Sequence, residues 1–129
     1  MTLSELIEAL EKATGPDRAL DCAIFVATAP SPFVSYYPDC VLATLGGFAA
    51  RVEIADIPAY TASLDAALTL VPEGWTVARI GQNDNKTWHV ELRHGHCTSF
   101  DRVVIAPRDC AAATPALALT LACMKARKP

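Results

Sequence analysis

The chain has 129 residues, 52% of them apolar and 19% charged, and a formal net charge of −3. That is one ordinary domain, able to bury a core without staples and too apolar to be disordered. The acidic balance argues against a general binder of nucleic acid or anionic membrane, because both are recognised through a cationic field.

Leu3, Leu6, Ile7 and Leu10 follow the i, i+3, i+4, i+7 spacing of an amphipathic helix. Thr2, with Glu5 three residues on, fits a capping box that starts it. In ATGPDRAL, Gly15 is expected to close this helix in a left-handed conformation and Pro16 to sit in the first turn of a second. The second helix would turn Leu20, Ala23, Ile24 and Ala27 to one side, so that residues 2–28 read as a helical hairpin.

Residues 29–59 are an insertion with weaker signals. PSPFVSYYPD holds three prolines and three aromatics, Phe33, Tyr36 and Tyr37, and reads as an extended surface segment. CVLATL and FAARVEI flank Gly46-Gly47 as a short hairpin would; the alternative is an irregular segment lying across a sheet.

Residues 60–127 read as helix, three strands, helix. The first helix covers residues 61–71, capped by Thr61 or Ser63, with Leu64, Ala67, Leu68 and Val71 facing inward and Pro72 ending it. WTVARI (75–80), TWHVELRH (87–94) and SFDRVVIAP (99–107) form a closely spaced antiparallel meander. Thr114 then caps a last helix with Pro115 in its first turn, and its broad apolar surface predicts burial on more than one flank. The cations Lys125, Arg127 and Lys128 complement the C-terminal end of its dipole. Asp17, Asp21 and Asp65 fall on the polar sides of their helices, where solvation accounts for them. The fold class expected is α+β: an antiparallel sheet of three or more strands packed by helices, in an α/β/α sandwich.

Five cysteines, Cys22, Cys40, Cys97, Cys110 and Cys123, are odd in number and irregular in spacing, with no C-x-x-C, which argues against a disulfide framework. The first residues carry acids where a signal peptide carries bases. The apolar run AAATPALALTLACM is broken by Pro115 and falls short of the roughly 20 residues of a membrane span. A cytoplasmic protein is expected, with its thiols acting as small core hydrophobes.

The stretch WHVELRHGHC (88–97) raises the question of a metal. As a strand it points Trp88, Val90 and Leu92 to one face, and Thr87, His89, Glu91 and Arg93 to the other. His94, His96 and Cys97 then occupy a turn. Zinc needs four converging ligands, usually from two well-spaced doublets, and this single cluster would have to borrow Cys110 or Glu91 from elsewhere. A polar turn is therefore favoured over a metal site. Neither a nucleophile elbow nor a glycine-rich phosphate loop is present, so no enzyme activity, cofactor or catalytic residue is expected.

TGPDRALDCAI (14–24), PAYTASLDAALTLVPEGW (58–75) and AATPALALTLACMKA (112–126) together resemble the phage ABA sandwich domain family, small proteins of phages and prophages of alphaproteobacteria. The three segments cover about a third of the chain, in the family's order. The resemblance implies helices on both sides of a sheet and, for a phage-encoded chain, the host cytoplasm; it brings no activity, cofactor or site residue. The leading expectation is a non-enzymatic accessory protein that binds a host or phage macromolecule, such as an inhibitor of a defence system, including a CRISPR nuclease. Its contact surface is expected at Tyr36, Tyr37, His89, Glu91 and Arg93, since exposed Tyr and Arg are frequent interface anchors. One alternative is a nucleotide-sequestering protein with a pocket lined by Arg51, Arg79, Arg93 or Arg102. Another, from the helix–strands–helix order of residues 61–127, is a double-stranded-RNA-binding module, which would need a cationic helix where this chain has an apolar one.

Overall fold

The structure is a computed structural model that describes residues 2–28, 34–36, 40–45, 48–94, 104–105 and 110–127, with side chains described over 2–28, 51–94 and 110–127. The elements are α1 (Leu3–Lys12), α2 (Arg18–Thr28), β1 (Val34–Tyr36), β2 (Cys40–Leu45), β3 (Phe48–Glu53), a 3-10 turn (Ile54–Asp56), α3 (Leu64–Leu68), β4 (Trp75–Gln82), β5 (Trp88–His94), β6 (Val104–Ile105) and α4 (Pro115–Arg127). Helices and antiparallel strands make the chain α+β.

The capping box of α1 is formed: the Glu5 amide donates to Thr2 Oγ1 at 3.2 Å, and the Thr2 amide to Glu5 Oε2 at 2.9 Å. These bonds satisfy amides that the helix start would otherwise leave unpaired. The helix buries Leu6, Ile7 and Leu10. Its end departs from expectation. Ala13 caps it in an extended conformation, and Gly15 does not take a positive φ. The cap of α2 is Asp17, whose Oδ1 accepts from the amides of Ala19 (2.8 Å) and Leu20 (3.3 Å), so Pro16 lies before the helix rather than in its first turn.

Helix α4 is the centre of the core. Every residue from Ala116 to Met124 is buried, as its all-round apolar surface required. Thr114 Oγ1 accepts from the Leu117 amide at 3.2 Å and sets the start. One flank of α4 lies on β5, and α1 and α3 pack on α4 as well. Each fully buried leucine here contributes roughly 1.5–3 kcal/mol of transfer free energy. The layering is thus sheet, then α4, then α1 and α3, with α2 against α1.

The main ladder is β4 with β5, antiparallel from Trp75↔His94 to Gln82↔Trp88, with a register shift between Val77 and Arg79. β6 adds a two-residue pairing, Leu92↔Ile105 and Arg93↔Val104. Val90 and Leu92 are fully buried toward α4, and their partners Ile80 and Val77 pack against the same core. Val77 and Ile80 are three residues apart, and strict alternation would oppose them; the bulge restores a common face. Strands β1, β2 and β3 form a separate antiparallel group, with β2 and β3 paired from Cys40↔Glu53 to Leu45↔Phe48. Gly46 and Gly47 lie outside the described residues. Val52, Ile54 and Ile57 attach this region to Cys22, Phe25 and Val26 of α2.

Residues 61–71 are not one helix. α3 has a single short helical stretch, capped by Ser63 Oγ, which accepts from the Ala66 amide at 3.2 Å. Leu64 and Leu68, expected inside, are 36% and 43% exposed, while Ala67 and Leu70 are buried. Of the two caps that the sequence offered, Ser63 is the one used, and Thr61 is fully buried and bonded to α2.

Candidate protein-binding face

Away from the sheet, on α2, lies a polar knot that no alternation pattern announced. Asp21, expected in solvent, is 1% exposed. Its Oδ1 accepts from both the amide and the hydroxyl of Thr61 at 2.8 Å, and its Oδ2 pairs with Arg18 Nη1 at 3.0 Å. The Thr61 oxygen in turn accepts from the Asp17 amide at 2.9 Å. Arg18 continues outward to the carbonyls of Ile54 and Ile57. Apart from the Arg18–Asp21 pair, these bonds span 36 to 44 residues, so the knot joins α2 to the turn before α3 and to the stem of the β1–β3 region. A buried carboxylate is tolerable only with this many donors. The same turn is tied to α4 by Thr120 Oγ1, which donates to the Tyr60 carbonyl at 3.1 Å, and the segment after α3 by Arg127 Nη2, which donates to the Leu70 carbonyl at 3.1 Å. Burial raises the Tyr60 phenol above its ordinary 10.0, with the Asp21 charge adding to the rise and Arg127 opposing it. Burial likewise pushes the Cys123 thiol up to about 12, against the pull of Arg127. Cys22, Cys110 and Cys123 are buried and outside any disulfide.

The face of the β4–β5 ladder away from α4 carries His89, Glu91 and Arg93, all half-buried, as alternation required. Glu91 Oε2 pairs with Arg93 Nη2 at 3.1 Å along the strand. Opposite Glu91 stands Arg79, which is exposed and, among the described residues, has neither a hydrogen bond nor an ion pair. Sequence reasoning did not single out Arg79 for this surface. Strict alternation in WTVARI groups Arg79 with Trp75 and Val77, and only the bulge turns it outward.

His89 is held in place by neighbours that were also missed. It pairs with Gly81, and a Cβ built on that glycine would fall 2.8 Å from His89 Nε2, so the imidazole lies across the β4 backbone where a side chain would stand. His89 Nδ1 is 2.6 Å from Asn83 Oδ1, Asn83 Nδ2 donates to Thr87 Oγ1 at 3.0 Å, and the Thr87 hydroxyl donates to Asn85 Oδ1 at 2.6 Å. This chain fixes the Asn83 amide so that its oxygen faces the ring. His89 Nδ1 is therefore the donor, and Nε2 is the acceptor in the neutral imidazole. With the first strand read as residues 75–80, Gly81 falls past its end, whereas β4 runs through it to Gln82.

His94, expected in a polar turn, ends β5 on the opposite face. Its ring lies 5.1 Å from that of Trp75 and over Gly74, whose φ of 86° suits a glycine. It is thus separated from His89 by the sheet. His96, Cys97 and Tyr37 lie outside the described residues, as do Phe33 and Arg102; Tyr36 is placed on β1 by its backbone alone. Among the described residues, no three His, Cys, Asp or Glu side chains converge to hold a metal ion. No described helix is long and apolar enough to cross a membrane. No family model matches the chain, and neither a curated protein nor a solved structure is found similar to it.

Proposed function

We propose that this chain is a non-enzymatic phage or prophage accessory protein of the ABA sandwich type, and that it acts by binding a host or phage macromolecule, such as a component of a defence system, in the host cytoplasm. The observation that carries the binding surface is the outer face of β4 and β5. It presents His89, Glu91, Arg93 and Arg79 away from the α4 core, with the imidazole fixed and the Arg79 guanidinium unpaired among the described residues. Polar side chains held in fixed positions with unused hydrogen-bonding capacity are what a partner can recognise without first ordering them.

Support for the family comes from where its segments sit. The three stretches that resemble the family, 14–24, 58–75 and 112–126, are bonded to one another through Asp21–Thr61 and Tyr60–Thr120. They supply most of the scaffold, and the candidate face, chiefly on β5, lies largely outside them. An α/β/α sandwich requires a layer on the outer face of the sheet, and a bound partner would complete it there.

The test is differential capture. The native chain, a His89→Ala/Glu91→Ala/Arg93→Ala variant and a Leu64→Ser control are immobilised and exposed to host lysate, and thermal melting confirms that all three fold. A macromolecule held by the native chain and the control but lost by the face variant supports the reading. Equal capture by all three overturns it. A nucleotide released from the purified native chain would favour the sequestering alternative instead.

A further inference from the structure

We infer that the open edge of β4 takes an extended segment of another polypeptide as an added antiparallel strand. The inference rests on the reading that the chain binds a macromolecule at this sheet, and it names the class of partner and the groups that receive it. β5 has partners on both flanks: β4 on one, β6 and the Ala112 bridge on the other. Among the described residues, β4 is paired on one flank only. The ladder itself tells which backbone groups lie on the open flank. The N–H and C=O of Trp88 are both spent on Ala112, at 2.7 and 2.9 Å, so Trp88 and Gln82 are a non-hydrogen-bonded pair. The neighbouring pair is the bonded one, with the Asn83 amide donating to the Thr87 carbonyl at 2.7 Å. Alternation along β5 then turns the N–H and C=O of Val90 and Leu92 away from β4, as for Trp88. Ile80 and Val77, which stand opposite them, therefore turn theirs to the open edge, as Gln82 does. The bulge lies on β4, so the alternation of β5 carries across it.

A row of alternating donors and acceptors selects the class of occupant. The N–H and C=O of Ile80 and Gln82, two residues apart, are met in full by the N–H and C=O groups of an extended polypeptide at the same spacing. A phosphodiester backbone supplies acceptors only, and leaves the carbonyls of Val77, Ile80 and Gln82 without donors. This selection does not depend on the charge of any side chain. The side chains set the pattern of the added strand. Residues directly opposite one another in a ladder share a face, so those paired with Val77 and Ile80 would lie on the α4 side. Trp75, Val77 and Ile80 pack against the core there but are only half-buried, because α4 lies mainly on β5. Apolar residues in the added strand would cover their open flank. On the outer side, the exposed Arg79 favours an acidic neighbour. A second copy of this chain fits less well. Full antiparallel overlap of β4 with itself, Trp75 opposite Gln82, sets the two Arg79 side chains at adjacent positions on one face, where like charges repel.

The experiment is amide hydrogen exchange and titration of the full chain by NMR. In the free protein, exchange should be fast at Ile80 and Gln82 and slow at Arg79 and Gly81, whose amides face β5. The probe is a terminally blocked peptide of alternating valine and glutamate. It should bind saturably and slow the exchange of Ile80 and Gln82. N-methylation of its valines, whose N–H groups would meet β4, should abolish binding; N-methylation of its glutamates, whose N–H groups point away, should not. Gln82→Pro removes an outward N–H and no bond to β5, and should weaken the peptide by at least about tenfold. Should that variant fail to fold, the two methylated peptides make the same test on the native chain. The inference is overturned if Ile80 and Gln82 are protected in the free monomer, if the peptide does not bind, or if methylated valines leave its binding unchanged. Protection in a dimer seen by sedimentation would assign the edge to a second copy and overturn it equally. If capture from lysate is lost in the His89→Ala/Glu91→Ala/Arg93→Ala variant and kept in Gln82→Pro, the edge is wrong and the outer face stands. If capture is indifferent to both, the surface itself is wrong.

Discussion

Two acid–arginine pairs in this molecule have nearly the same geometry and opposite meanings. Arg18–Asp21 is 3.0 Å apart on α2, and Arg93–Glu91 is 3.1 Å apart on β5. The Asp21 side chain is 1% exposed and accepts three hydrogen bonds, two of them from Thr61 on another element. The Glu91 and Arg93 side chains are 18% and 39% exposed and, among the described residues, are joined along their own strand. The first pair removes a charge from water and gives it back in hydrogen bonds that tie three parts of the chain together. The second remains in reach of solvent, where an ion pair contributes little to stability and stays available to a partner. Distance alone does not separate a buried structural pair from a solvent-facing one; burial and the origin of the other donors do.

The largest expected effect lies on the buried side. Asp21→Ala leaves the amide and hydroxyl of Thr61 without an acceptor, and should destabilise the chain by about 3 kcal/mol in denaturant unfolding. A loss under about 1 kcal/mol would show that water enters the knot and that the two pairs are alike after all. Thr61→Val keeps the shape but removes the acceptor of the Asp17 amide and one donor to Asp21, and should cost about 2 kcal/mol by the same measurement.

A third expectation concerns pH. Cys123 and Tyr60 both hold their protons more tightly in the folded chain than in the unfolded one. Where the unfolded chain has released a proton that the folded chain keeps, stability falls as pH rises. The contribution of Cys123 is whole below pH 9.0 and is lost as pH climbs toward about 12, with Tyr60 joining above 10.0. The slope approaches about 1.4 kcal/mol per pH unit for each group. Melting curves between pH 8 and 11 should show this decline, and Cys123→Ala should flatten its first part. An unchanged slope would place the thiol in water.

The smallest expected effect belongs to the exposed pair. Glu91→Gln should change stability by less than about 1 kcal/mol, while freeing the Arg93 guanidinium and altering what the face binds. A destabilisation as large as that of Asp21→Ala would make Glu91 structural and would remove it from the proposed surface.

Much of the local structure was legible because it depends on neighbours in sequence. The Thr2–Glu5 box, the Thr114 cap and the alternation of Trp88 to Arg93 each involve groups within a few residues, and each is formed. The errors arose where a distant element competed for a side chain. Thr61 and Ser63 both read as caps of α3; Ser63 takes that role, while Thr61 is the partner of Asp21, forty residues away. Asp21 reads as solvated because helical spacing reports which residues share a face and not whether a polar partner awaits on it.

For the candidate site the division is similar. The amino-acid sequence by itself determined that His89, Glu91 and Arg93 share one face of a strand, since the period of two is a property of the extended backbone. It also determined that the last helix would be buried all round, since no polar stripe was available to face water. Only the tertiary structure decided that a bulge turns Arg79 onto that face, that Gly81 makes room for the imidazole, and that Asn83 fixes its tautomer. These depend on register and on contacts across the ladder, which are settled when the whole sheet packs against α4 and not by the residues of either strand alone.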